Sequence, residues 1–320
     1  MGSSAKTCEF VSPRHPDKIC DFIADAILDA YLSSDRESRV AIEVLGGHGV
    51  VTVSGEVTSR SKVNIPAIVH RVVGKSYRVA VHVVEQSPFI AHAVDRGGAG
   101  DQGIMVGYAV RETKSLMPRE YVLARDLCRN IYARYPYDGK VQVTLDGDKP
   151  VAVVASFQKT KTKDLLRLVR SMIKAEEYFI NPAGEWPVGG FEADSGLSGR
   201  KIVIDNYGPE YPVGGGSFSG KDPTKVDRSG AYMARRIAVD LLLKRRADFV
   251  KVKLAYVIGK EEPVMASAFV DGREEDIRGS YDLSPQGIIK ALGLRRFSYA
   301  KTSQWGHFGR GFPWDIARGR

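Results

Sequence analysis

Cysteine is scarce in this 320-residue chain. Cys8, Cys20 and Cys128 are too few and too scattered for a disulfide framework or a four-thiolate metal site, and read as small buried thiols. Long apolar runs are missing too: none approaches the ~18 residues of a membrane span. The start, Met1-Gly2-Ser3-Ser4-Ala5-Lys6, leads into Cys8, Glu9 and Arg14 rather than the apolar core of a signal peptide. A soluble cytoplasmic protein with no membrane partner is expected. Low-complexity linkers are also lacking. The composition, 43% hydrophobic and 27% charged, argues against a disordered or fibrous chain. At roughly 150 residues per domain, two or three domains fit.

Acidic residues are the minority charge, 38 against 47 basic, for a net +9. That favours an anionic partner: nucleic acid, a membrane surface or a phosphorylated metabolite. The basic stretch at 161–174 is discounted first. Leu165, Leu166, Val169, Met172 and Ile173 form one helical stripe, and Lys163, Arg167, Arg170 and Lys174 the opposite, solvated one. No aromatics interleave there as a single-strand platform requires.

Periodicity predicts a helix over 17–33, strands at 40–45 and 50–57 across the turn Gly46-Gly47-His48-Gly49, a helix over 63–73 and a strand at 77–84. The same order returns from Pro118, with strands 141–145 and 151–157, and again from Asp227, with strands 250–258 and 264–270 and a helix over 285–292. Three such units about 100 residues apart suggest three similarly built α+β subdomains, with boundaries at 1–98, 99–188 and 189–320.

Two glycine motifs invite a wrong assignment. Gly98-Ala99-Gly100-Asp101-Gln102-Gly103 matches G-x-G-x-x-G, but a strand-like run, Ile104 to Val110, follows where the dinucleotide fingerprint needs a helix. Gly215-Gly216-Ser217-Phe218-Ser219-Gly220-Lys221 matches G-x-x-x-x-G-K, yet Asp222 stands where a P-loop needs a hydroxyl. A Gly-rich loop survives, with Lys221, Lys225 and Asp227 beside it, suited to polyphosphate. Upstream, Ser12-Pro13-Arg14-His15-Pro16-Asp17-Lys18 brings a cation, an imidazole and an acid to a helix start. Either His15 meets a phosphate oxygen and Asp17 binds Mg²⁺, or His15 caps the helix and Asp17 complements its dipole. Asp21, Asp25 and Asp29 read as a solvated face.

Together, His15-Pro16-Asp17-Lys18, the Gly98 to Gly103 run, Gly214-Gly215-Gly216-Ser217-Phe218-Ser219-Gly220-Lys221-Asp222-Pro223 and Gly306-His307-Phe308-Gly309-Arg310 resemble S-adenosylmethionine synthetases, in order and over nearly the whole chain. The resemblance implies three α+β subdomains in a pseudo-threefold arrangement. It implies formation of S-adenosylmethionine from ATP and L-methionine with release of phosphate and pyrophosphate. It further implies two Mg²⁺ ions, K⁺, and a homodimer or dimer of dimers with shared active sites, with no nucleic acid as partner. By the same resemblance His15, Lys221 and Arg200 are catalytic. Asp17 and Asp227 hold Mg²⁺, and Glu43 is linked to K⁺. Glu56, Gln86 and Lys225 line the methionine pocket, with Asp101 near ribose and methionine. Asp138, Lys140, Asp194, Lys201 and Ser217 belong to the nucleotide, and Trp186 stacks on adenine.

Three departures from the family pattern stand out. Arg14 replaces the usual Gly, and Glu185-Trp186 replaces Arg-Phe, which removes a cation from that loop. The stretch 86–98 is shorter than the family's mobile gate, so a less complete lid is expected. Rival readings are a nucleotide hydrolase built on the 214–227 loop and a basic nucleic-acid-binding protein.

Overall fold

Local chemistry starts the helices where the pattern places them. Helix α1 (Pro16–Ser34) opens with His15 as N-cap, Pro16 in the first turn and Asp17 beside the positive end of the dipole. Helix α2 (Ile65–Val73) is capped by Asn64, whose side chain accepts from the Ala67 N–H, and is ended by Gly74. The computed structural model describes residues 5–86 and 97–317. Residues 87–96, most of the abbreviated gate stretch 86–98, lie outside the described residues.

The remaining elements, in order, are β1 (Ala5–Val11), β2 (Arg39–Gly47), β3 (Val50–Thr58), β4 (Arg78–Val84), β5 (Gly103–Val110), α3 (Arg119–Arg134), β6 (Gly139–Asp146), β7 (Lys149–Phe157), α4 (Thr162–Met172), β8 (Glu177–Ile180), β9 (Gly196–Leu197), α5 (Ile202–Asp205), α6 (Val226–Arg245), β10 (Phe249–Tyr256), β11 (Met265–Val270), β12 (Arg273–Asp276) and α7 (Pro285–Leu292). The G-x-G-x-x-G run ends in β5 with no helix behind it, and α6 begins five residues after Lys221, so neither nucleotide fingerprint has its required context.

Three four-stranded sheets form, in the orders β1-β6-β7-β8, β12-β11-β10-β5 and β4-β3-β2-β9. Each takes a strand from far away in the sequence. β1 pairs antiparallel with β6, β5 with β10 and β9 with β2. Long helices back these sheets: α1 on β2, α3 on β1 and β6, α6 on β5 and β10. α1 and α6 bury residues around most of their circumference, so they are core helices rather than surface ones. Contact is close enough at one point to require glycine: a Cβ on Gly107 of β5 would lie 2.1 Å from the Ala234 carbonyl carbon of α6.

All three cysteines are buried and free, as expected. The solvated-face reading of Asp21, Asp25 and Asp29 is overturned. Asp21 and Asp25 are fully buried, and Asp29 accepts from Ser298 Oγ and the N–H groups of Tyr299 and Ala300. Carboxylates four residues apart look like a polar stripe when their partners come from segments about 180–270 residues away. No helix among the described residues is long and apolar enough to cross a membrane.

Candidate active site

Two lysine–carboxylate pairs organise the candidate residues. In the first, Asp17 on the opening turn of α1 pairs with Lys201 Nζ, accepts the Leu197 N–H at 3.0 Å and has the Arg200 guanidinium 3.7 Å away. Burial alone would raise its pKa, but the bonds from Lys201 and Leu197 outweigh it and hold the carboxyl below the usual range. His15 Nδ1 accepts the Asp17 N–H at 3.2 Å. Burial, with Lys201 and Lys140 nearby, lowers the imidazole to about 4, so at neutral pH His15 is uncharged. With Nδ1 accepting, its proton sits on Nε2. His15 is therefore a helix cap, and it also retains a free donor.

In the second pair, Lys221 Nζ lies 2.7 Å from Asp227 Oδ2 on the first turn of α6. Glu43, exposed on β2, accepts from Ser198 Oγ. Partial desolvation of that carboxyl, where it meets Ser198, raises its pKa, opposed by Ser198 and Lys221. Ala41 forms a bridge with Lys221 and stands opposite Glu56 in the β2-β3 ladder. Residues directly opposite share a face, so Glu56, Ala41, Glu43 and Lys221 share the outer face of one sheet.

The segment 196–201 joins the two pairs. Ser198 holds Glu43, and the Gly199 N–H donates to Asp21. A Cβ on Gly199 would strike the Ser217 side chain. Lys201 closes onto Asp17. Asp194 Oδ1 caps its own loop by accepting the Ser195 N–H. A groove of about 310 Å³ is lined in part by Arg14, Tyr137, Asp138, Gln158 and Gly190.

Several expected site residues face structural partners. Asp138 accepts the Gly190 N–H at 2.8 Å, and burial raises its pKa. Lys140 pairs with Glu9, and Lys225 Nζ with the buried Asp222 at 2.8 Å. Trp186 packs against Gly189. Gln86 is buried, its Oε1 without a hydrogen-bond partner among the described residues. Asp101 is exposed and accepts the Gln102 N–H. The Glu185 departure also has a reason: its carboxylate accepts the Thr162 N–H and pairs with Lys161 at 2.9 Å, capping α4. Sequence reasoning missed Ser198, and no local motif signals it.

Among the described residues, no group of three or more His, Cys, Asp and Glu side chains gathers to hold a metal. Asp17 and Asp227 are instead single hard-oxygen donors on separate helix starts, each held by a lysine. That fits Mg²⁺, which takes one or two carboxylates and completes its shell with substrate phosphates and water.

Three family models match the chain in order: S-adenosylmethionine synthetase N-terminal domain at residues 3–88, central domain at 96–186 and C-terminal domain at 188–316. Two curated relatives, the S-adenosylmethionine synthases of two strains of Thermus thermophilus, are each 41% identical, over 97% of this chain and 95% of the relative. The alignment runs over 374 positions, more than the 320 residues here, so the relatives carry residues that this chain lacks.

Proposed function

The chain belongs to the S-adenosylmethionine synthetase family and forms S-adenosylmethionine from ATP and L-methionine; we propose that it does so by direct attack of the methionine sulfur on C5′ of ATP, with the displaced triphosphate then cleaved to phosphate and pyrophosphate. The observation that supports this reading is the pairing of Lys201 and Arg200 with Asp17 and of Lys221 with Asp227, two pairs linked through the segment 196–201.

A thioether sulfur is a neutral nucleophile and needs no general base, so the protein's task is alignment and stabilisation of the leaving group. His15 donates from Nε2 to the oxygen that departs from C5′. Lys201, Arg200, Lys140 and Lys221 neutralise the triphosphate, and each contact strengthens as charge builds on the bridging oxygen. Asp17 and Asp227 would hold two Mg²⁺ ions, and Glu43 with Ser198 would hold K⁺; these cations supply further charge neutralisation at the phosphates. Glu56 and Glu43, on one sheet face, offset the ammonium and the forming sulfonium. Ser217 and Asp194 contact the nucleotide with Asp138, and Trp186 stacks on adenine. Gln86, Lys225 and Asp101 complete the methionine side.

We also propose that two copies share their active sites. Leu45 is 50% exposed, Val84 63% and Ile104 55%. Leu45 shares the outer face of the sheet that carries Glu43 and Glu56, and a second copy covers this apolar surface.

Displacement in one step inverts C5′. ATP stereospecifically deuterated at C5′ therefore gives S-adenosylmethionine of inverted configuration. Retention would refute direct attack, and ADP as the main nucleotide product would refute triphosphate displacement.

A further inference from the structure

The Gly306-His307-Phe308-Gly309-Arg310 run and the arginine after Asp227 have no role in the reaction described above, yet both converge on the loop that carries Lys221. Arg228 is fully buried, and every face of its guanidinium is used. Nη1 donates to Asp25 Oδ1 at 2.7 Å and to the Lys221 carbonyl at 3.1 Å. Nη2 donates to Asp25 Oδ2 at 2.9 Å and Thr302 Oγ1 at 3.1 Å. The plane stacks 4.3 Å from the centre of the Tyr299 ring. Asp25 Oδ1 also accepts the Gly220 N–H at 2.8 Å. The Gly220–Lys221 pair is thus held at both ends, by Asp25 at its leading N–H and by Arg228 at its trailing carbonyl. Asp25 lies two turns beyond Asp17 on α1, so the same clamp relates Lys221 to the other carboxylate pair.

A second layer orients the clamp. Arg228 Nε donates to Tyr232 Oη at 3.0 Å. The same oxygen lies 2.8 Å from His307 Nδ1, and one of the two donates to the other according to the imidazole tautomer. The His307 ring packs 4.8 Å from Phe218, which belongs to the same Gly-rich loop as Lys221. Tyr232 stacks on Trp314 at 3.7 Å, and Trp314 Nε1 donates to the His307 carbonyl at 2.7 Å. A buried ion pair adds little net stability compared with apolar packing, whereas a bidentate one fixes geometry.

We propose that Arg228, oriented through Tyr232 by His307, is a positioning residue that fixes the Lys221 backbone relative to α1 and so aims the Lys221 ammonium at the departing triphosphate. This inference rests on the assignment of Lys221 to the triphosphate given above.

The test is a double-mutant cycle on the full chain, with initial rates of S-adenosylmethionine formation from ATP, methionine and Mg²⁺. Tyr232→Phe keeps the ring and its stack and removes only the linking oxygen. It is expected to lower kcat by about 10-fold while the KM for methionine stays within about 2-fold. In a Lys221→Met background the same change should have no further effect, since the group being aimed is gone. His307→Asn, which places an amide able to donate or accept where Nδ1 was, should keep the rate within about 3-fold, and His307→Leu should match Tyr232→Phe. A folded Tyr232→Phe enzyme at the parent rate would overturn the inference. A loss carried in full into the Lys221→Met background, or variants that lose folded protein rather than turnover, would also overturn it. Lys221→Met at the parent rate would instead overturn the assignment of Lys221 itself, and the inference with it.

Discussion

Replacing Lys221 by Met separates a charge that acts in the reaction from one that only holds the fold. The ammonium is 2.7 Å from Asp227, with the two side chains 19% and 15% exposed. Neither is sealed from water, so breaking the pair costs only about 1 kcal/mol of stability. For a chain this size that lowers Tm by roughly 1–2 °C, against a total stability of about 5–15 kcal/mol. The rate should respond on another scale. Removing a preorganised cation from a site where charge develops costs about 2.7–4 kcal/mol of transition-state stabilisation, or 10²–10³ in kcat. Stopped-time measurement of S-adenosylmethionine and phosphate, paired with a thermal melt, reads both quantities on one sample. Lys221→Arg, which keeps the charge but moves it, should fall between. A well-folded Lys221→Met enzyme within about threefold of the parent kcat would show that this ammonium never meets the leaving group, and the reasoning would fail.

Asp17→Asn should raise the Mg²⁺ concentration for half-maximal rate, because a neutral amide is a weaker hard-oxygen donor; an unchanged metal titration removes Asp17 from the metal site. His307 is buried, and burial together with Arg228, Lys18 and Arg310 holds its pKa well below the ordinary value. The unfolded chain therefore takes up this proton first, and stability present above pH ~6.5 falls by about 1.4 kcal/mol per pH unit below it. Urea melts between pH 7 and 5 should show a shallower loss for His307→Asn, and equal slopes would contradict the assignment. Gly107→Ala should cost about 1–3 kcal/mol or more, since its methyl meets the Ala234 backbone; a chemical melt unchanged from the parent would refute the close approach.

Most helices and strands are legible because their signals are local. The helix expected over 285–292 forms at Pro285–Leu292, and that expected over 17–33 at Pro16–Ser34. Sheet membership is not legible, because β1, β5 and β9 find partners far along the chain and no short-range pattern encodes the pairing. The same distance hides the Asp21 and Asp25 partners. On α1 these acids look like solvent-facing charge, and only the fold brings the Gly199 and Gly220 N–H groups and Arg228 to them. Motif order names the candidate residues, but it carries no information on which carboxylates already have lysine partners, as Asp17 and Asp227 do. Glu185 reads in the sequence as a missing cation, whereas its cause is the start of α4.

The borrowed strands have a consequence during synthesis. Strand β1 is made first, yet its partner β6 begins at Gly139, and β5 waits for β10, which begins at Phe249. At about 5–20 residues per second, β1 spends many seconds outside the ribosome with its ladder groups unmatched, and β5 a similar interval. These are open edges of the kind that recruit the wrong chain. Neither can be closed early, because the closing residues do not yet exist. A nascent chain stalled after residue 134 should therefore hold β1 unprotected against proteolysis, and protection should come only once β6 has emerged.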